Sequence, residues 1–166
     1  MTIRSVTLDD ATAIASIYNY YVIDTVFTFE EEVVLAQEIA RRIDDIRSRG
    51  LPWTVWEEND EVLGFAYAGR FRERIGYRFT VESSVYLAPD RRGQGIGFTL
   101  YSNMIDRLRT RQLDPVHRVI GAIALPNDSS VKLHERLGFR SAGLFSEVGF
   151  KLGRWVDVGY WQLDLT

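Results

Sequence analysis

The sequence predicts one mixed α/β domain, residues 1–166, built on a central sheet, and three observations lead there. Short runs of alternating or β-branched apolar residues are interleaved with stretches of helical periodicity. A glycine-rich turn joins one of those runs to a long amphipathic stretch. No composition break or internal repeat divides the chain.

Each element follows from its residues. Ile3 to Thr7 alternates apolar and polar, as a strand does. Asp9 or Asp10 can cap a helix in which Ile14, Ile17, Tyr18, Tyr21 and Val22 recur at helical spacing. Thr25 to Phe29 is extended and aromatic. A second helix puts Leu35, Ile39, Ile43 and Ile46 on one face and stops near Gly50 and Pro52. Trp53 to Glu57 and Val62 to Phe71 flank Glu58-Asn59-Asp60-Glu61, which reads as a hairpin. Phe79 to Ala88 is a further strand, ended by Pro89. The helix from about Gly95 carries Phe98, Tyr101, Ile105 and Leu108 inward. Val116 to Leu125 is nearly continuous in apolar residues, the mark of a buried strand. Asn127 or Asp128 caps a short helix through Leu137, closed by Gly138. Two last strands, Arg140 to Val148 and Val156 to Leu165, surround the turn Lys151-Leu152-Gly153-Arg154. The order is β-α-α-β-β-β-α-β-α-β-β.

Composition narrows the function classes. An apolar fraction of 46%, with 13% aromatic, is enough for a real core in 166 residues. A net charge of -3, with no long basic run, gives no support for nucleic-acid binding. No stretch approaches the roughly 20 apolar residues of a membrane span. Met1 to Val6 lacks the apolar core of a signal peptide, so a cytoplasmic protein is expected. Without cysteine there is no disulfide, thiolate metal site or Cys nucleophile. His117 and His134 are too few and too separated for a usual zinc site, and no metal is expected.

The stretch from Ser84 to Phe98 is the most informative. It reads as a strand running into a glycine turn that opens a helix. Three alternating glycines there leave backbone N–H groups approachable, and the helix dipole adds positive potential. Together they suit a phosphate or pyrophosphate, with Arg92 at the edge. A P-loop would need Gly-Lys-Ser/Thr, but Gly97 precedes Phe98-Thr99. A dinucleotide turn would need a different last glycine spacing and an acidic residue at the end of the next strand, where Pro126-Asn127 stands. The pyrophosphate loop of acetyl-CoA-dependent N-acetyltransferases has Arg or Gln, two residues, Gly, one residue, then Gly or Ala. Arg92-Gly93-Gln94-Gly95-Ile96-Gly97 fits every position. The plainer alternative is a glycine turn that lets strand and helix pack closely.

The element order, with this loop after the fourth strand, resembles the GNAT superfamily of N-acetyltransferases. The segment Asn127 to Phe139, with Gly138-Phe139 at its end, is similar to a second motif of that family. Tyr67-Ala68-Gly69, Val81 to Tyr86, Leu133-His134-Glu135 and Gly153 to Gly159 resemble the phosphinothricin and methionine sulfoximine acetyltransferase branch. The similarity runs over essentially the whole chain. It implies a mostly antiparallel sheet flanked by helices, with strands splayed at the cofactor site. One departure is His134, which stands where many superfamily members carry a tyrosine as candidate general acid; the branch shares the histidine.

The resemblance also implies roles. The backbone of Val85, Tyr86 and Leu87 would hold the pantetheine arm as an added strand, and would stabilise the oxyanion. Arg92, Gly93, Gln94, Gly95, Ile96, Gly97 and Phe98 would wrap the pyrophosphate. Asn127 would reach the pantetheine as well as cap its helix, and Ser130 is a further cofactor candidate. Glu82 is the candidate base: an amine arrives protonated, and a carboxylate can accept its proton directly or through water. By alternation Glu82 shares a face with Ser84 and Tyr86; the plainer reading is a solvated strand Glu. His134 can relay a proton or be a satisfied helix histidine, and Tyr101 is a catalytic candidate or core. In the branch, the loop carrying Arg72, Glu73 and Arg74 meets the acceptor beside Glu82, Ser83 and Ser84, and a guanidinium there can grip a carboxylate. Phe27, Phe29 and Trp155 either line the acceptor pocket or belong to the core.

The expected activity is acetyl transfer from acetyl-CoA to the α-amine of a small amino-acid-like acceptor. It would proceed directly in a ternary complex, since no thiol carrier exists. Alternatives are acetylation of a peptide N-terminus or polyamine, and a non-catalytic acyl-CoA sensor. The branch implies a homodimer; neither nucleic acid nor membrane is an expected partner.

Overall fold

The computed structural model describes residues 1–112 and 114–166. Its strands are β1 (Thr2–Ser5), β2 (Trp53–Glu58), β3 (Glu61–Arg70), β4 (Thr80–Leu87), β5 (Arg118–Leu125), β6 (Arg140–Lys151) and β7 (Arg154–Asp164). Its α-helices are α1 (Ala11–Asp24), α2 (Ala36–Ser48), α3 (Ile96–Arg109) and α4 (Asp128–Arg136). The order along the chain is the one expected. Among the described residues no helix is long and apolar enough to cross a membrane.

The strands form one sheet in the order β1-β2-β3-β4-β5-β7-β6. Every pairing is antiparallel except β4 with β5. That parallel pairing is brief. It runs from Thr80 opposite Arg118 to Glu82 opposite Ile120 and then stops. β3 follows β4 to Leu87, and β7 follows β5 to Leu125. The middle of the sheet therefore opens into a wedge after Glu82.

Helices cover both faces. Tyr18 and Tyr21 of α1 meet the Tyr86 ring edge-on, and a Cβ at Gly69 would touch Ile46 of α2. Gly69 stands opposite Glu82, so α1 and α2 lie on the face that carries Glu82, Ser84 and Tyr86. Tyr101 of α3 hydrogen-bonds Ser83, which points the other way, and α3 and α4 cover that second face. The core runs through both layers: Ile14, Ile43, Val55, Leu100, Met104 and Val119 are fully buried.

Local chemistry sets the turns. Asn59 and Asp60, both with positive φ, close the β2–β3 hairpin, as do Leu152 and Gly153 for β6–β7. A bulge in β6 leaves Glu147 at φ 52°, where its backbone N–H donates to Asp157 Oδ1 at 2.7 Å.

Several details differ from the sequence reading. Leu35 is no part of the buried face of α2 but its exposed cap residue, and the face is Ile39, Ile43 and Ile46. Phe98 is not an inward residue of α3. It is half-buried under the Arg136 guanidinium, and the inward face is Ile96, Leu100, Tyr101, Met104, Ile105 and Leu108. The helix begins at Ile96, with Gly95 as its cap at φ 80°. β6 continues past Val148 to Lys151, because the bulge at Glu147 absorbs the break in alternation. Trp155 is no core residue: it is exposed against Phe150. Asp10 caps by another route than expected. Its carboxylate accepts from the Thr7 N–H and from Arg4, ahead of α1.

Candidate active site

A cleft of about 390 Å³ fills the wedge between β4 and β5 and continues to the start of α3. Its long wall is Ser83 to Leu87. Past Glu82 the β4 edge facing β5 has no strand partner, so its backbone donors and acceptors are open to a ligand. The Tyr21 hydroxyl donates to the Leu87 carbonyl at 2.6 Å and holds the end of that wall to α1.

The head of the cleft is the glycine turn. Gly93 and Gly95 have φ of 76° and 80°, a region that disfavours any side chain. Among the described residues, no atom beyond the chain neighbours lies within 4 Å of the place where a Cβ would stand on either glycine. Conformation is what favours glycine here, and the space where a Cβ would stand is left open. The Arg92 guanidinium lies over the rings of Tyr20 and Tyr21, at 5.0 and 5.2 Å. Arg92, Lys132 and Arg136 line the cleft, and no carboxylate does among the described residues. With the first N–H groups of α3, this cradle attracts a polyanion.

The floor holds a hydrogen-bonded chain. The His134 Nδ1 stands 2.8 Å from the Ser130 carbonyl, so Nδ1 carries the proton and Nε2 accepts. Tyr101, 3.1 Å away, donates to Nε2, and the Ser83 hydroxyl lies 2.7 Å from the Tyr101 oxygen. Burial pushes the His134 pKa down, against the pull of the Ser130 carbonyl, and pushes the Tyr101 hydroxyl up. The chain is thus neutral around pH 7. Gly121 makes room for it, since a Cβ there would lie 2.5 Å from Nε2 of His134. Tyr101 is fully buried and reaches the cleft only through its two partners.

Glu82 stands on the other face. Its carboxylate is half-buried, with no hydrogen-bond or ion-pair partner among the described residues, and burial raises its pKa. Tyr67, opposite Ser84 on β3, shares its face and feels its charge, with Arg42 and Glu30 beyond. The two candidate proton-handling groups therefore flank β4 from opposite sides, at the residue pair where the wedge begins.

The remaining candidates are spread around this centre. Asn127 accepts from the Ser130 N–H as the α4 cap while lining the cleft with Ser130. Gln94, exposed, donates to the Asp90 carbonyl. Phe27 lines the cleft, and Phe29 lies instead against the backbone of Gly149. Arg72 lies over the Phe71 and Tyr77 rings, exposed on the segment that leads into β4. Glu73 is held by Arg70 at 2.6 Å, and Arg74 precedes a single turn at Ile75–Tyr77. Tyr21, Lys132, Arg136 and Gly121 were not expected at the site. Tyr21 read only as one residue of a helical stripe, and nothing local marks the other three.

Comparison with known proteins agrees with this geometry. Residues 3–159 match the family model described as Acetyltransferase (GNAT) domain. The chain is 38% identical over 162 residues to the phosphinothricin N-acetyltransferase of Streptomyces viridochromogenes, covering 98% of this chain and 86% of that protein. It is 36% identical over 165 residues to the L-methionine sulfoximine/L-methionine sulfone acetyltransferase of Salmonella typhimurium, covering 99% and 95%. Among solved structures it superposes with a TM-score of 0.93 and 38% identity on a phosphinothricin acetyltransferase from Sinorhizobium meliloti in complex with acetyl-CoA, covering 98% and 87%.

Proposed function

The chain belongs to the GNAT family of acetyl-CoA-dependent N-acetyltransferases, and within it we propose a cytoplasmic enzyme that acetylates the α-amine of a small amino-acid-like acceptor. Phosphinothricin, methionine sulfoximine and methionine sulfone are the acceptor type. The observation that carries this reading is Glu82, a desolvated carboxylate without a partner among the described residues, at the pair where β4 and β5 part. Such a group costs stability, and proton transfer from an amine accounts for its placement.

The cleft fits acetyl-CoA. The open space at Gly93 and Gly95, the N–H groups of α3 and the cationic rim suit its pyrophosphate. The unpartnered edge of Ser83 to Leu87 suits an amide-bearing arm. Bound there, the cofactor supplies an activated acetyl thioester. Glu82 takes the proton of the acceptor's ammonium group, directly or through one water, and leaves a nucleophilic lone pair. On the opposite face, the Ser83–Tyr101–His134 chain holds an exchangeable proton for the departing side of the reaction. Arg72 and Arg74, with no carboxylate partner among the described residues, are available to hold the acceptor's carboxylate. That arrangement speaks against a polyamine.

The same reading includes a homodimer. Leu144, Phe145, Val148, Phe150 and Trp155 are all more than half exposed along the β6 edge and its hairpin, an apolar surface suited to a second copy. Sedimentation should give twice the chain mass. A monomer at micromolar concentration would rule this out.

Gly95→Val should abolish acetyl-CoA binding in calorimetry while the protein stays folded, because the side chain strains the cap and fills the cradle. Unchanged affinity would remove the loop from the site.

Glu82→Gln should lower turnover by roughly 10² or more, with acetyl-CoA affinity nearly intact. The loss should shrink at high pH, where more of the amine is already neutral. Stability should move the other way. Because burial raises the folded-state pKa, the wild type loses stability as pH rises through that value, whereas the amide does not. Wild-type turnover with an unaltered pH profile would take Glu82 out of the reaction.

Replacing Arg72 or Arg74 by Ala should raise KM for an amino-acid acceptor far more than for acetyl-CoA. Loss of one charge-assisted hydrogen bond costs about 1.5–3 kcal/mol. Methionine sulfone and its carboxamide, assayed side by side on the wild type, give the check. Equal efficiency on both would show that the carboxylate is not read.

A further inference from the structure

Lys151 has no place in the chemistry described so far, and it is a costly residue where it stands. It is the last residue of β6 and only 1% exposed. Burial lowers its pKa, while Glu30 and Glu31 pull the other way. Its Nζ donates to the Thr28 carbonyl at 2.6 Å and to the Tyr21 carbonyl at 3.3 Å. An ammonium has a donor for each, and so does a neutral amine, so the contact survives either protonation state.

Two residues earlier, Gly149 does something similar by shape. A Cβ on it would lie 2.3 Å from the Phe29 ring. Its φ is not positive, so nothing in its own backbone calls for glycine; the ring does. Both residues act on the irregular segment 25–31, whose backbone has no helix or strand to satisfy it. That segment leads to the site. Phe27 lines the cleft. Thr28 Oγ1 and Glu30 Oε1 both meet the Tyr18 hydroxyl, and Glu30 pairs with Arg42. These groups lie on the Glu82 face of the sheet, next to Tyr67. The Tyr21 that Lys151 holds by its carbonyl holds the Leu87 carbonyl by its hydroxyl.

We propose that the β6–β7 hairpin positions the acceptor-side wall of the cleft, with Lys151 and Gly149 as positioning residues that fix segment 25–31 against it. The inference rests on the acceptor reading above only for which substrate senses the wall.

The test uses the full-length protein with Lys151→Met, which keeps the length and loses the donors, and separately Gly149→Ala, which adds only the clashing methyl. Hydrogen exchange without ligands should speed up across residues 25–31 in both variants and stay unchanged in α3 and β5. With methionine sulfone, KM for the acceptor should rise roughly tenfold, with KM for acetyl-CoA within about twofold and kcat little altered. In a Phe29→Ala background, Gly149→Ala should have no further effect. Unchanged exchange in segment 25–31, or an equal rise in both KM values, overturns the proposal. If Lys151→Met does not fold, Gly149→Ala and its Phe29→Ala partner decide alone. A wild type inactive on methionine sulfone counts against the acceptor reading only, and the exchange pattern then decides whether the hairpin holds the wall.

Discussion

The separation of β4 from β5 after the Glu82–Ile120 pair is the constraint on which the rest of the site depends. β5 stays in register with β7 along its whole length, and β4 with β3. Each strand is thus paired along its outer edge, while the edges that face each other part after Glu82. The wedge exposes backbone groups in the middle of a sheet, where they would ordinarily be paired. A ligand with alternating amide groups can satisfy them. The helix that begins at the wedge's head, α3, brings its free N–H groups to the same opening.

Holding the wedge open takes specific packing. Leu87 lies so close over Gly64 that a Cβ there would stand 2.5 Å from Leu87 Cδ2. Tyr21 caps the Leu87 carbonyl, and its ring supports Arg92 beside the glycine turn. The wall of the cleft and its cationic rim are therefore tied to one helix, α1. The opposite bank depends on Gly121, whose missing side chain admits the His134 ring.

The two faces of β4 differ in how they treat polar groups. On the α3–α4 side, Ser83, Tyr101 and His134 satisfy one another and stay neutral in a buried setting. On the α1–α2 side, Glu82 is left without a partner among the described residues and desolvated. A satisfied network costs little, and an unpaired carboxylate costs more. Under the function proposed above, this asymmetry would put a proton acceptor on one side of the sheet and an exchangeable proton on the other. Strand alternation alone separates neighbours in sequence, Glu82 and Ser83, into these two roles.

The amino-acid sequence by itself determined the element order, the glycine turn and the face that Glu82 occupies; its candidacy as a base came from the family resemblance. These are legible because their causes are local. Periodicity marks a buried face, and Gly93 and Gly95 mark backbone that other residues resist. Alternation put Glu82 with Ser84 and Tyr86. What only the tertiary structure decided depends on partners far along the chain. Phe98 lies off the buried face of α3 because packing against the sheet selects the stripe Ile96, Leu100, Tyr101, Met104, Ile105 and Leu108. β6 ran on to Lys151 because a bulge restored its pairing with β7. Lys151 meets Tyr21 and Thr28, and Gly121 meets His134, across separations for which one sequence carries no spacing rule. Whether a buried lysine or a strand glycine is required is settled by the neighbour that folding places against it.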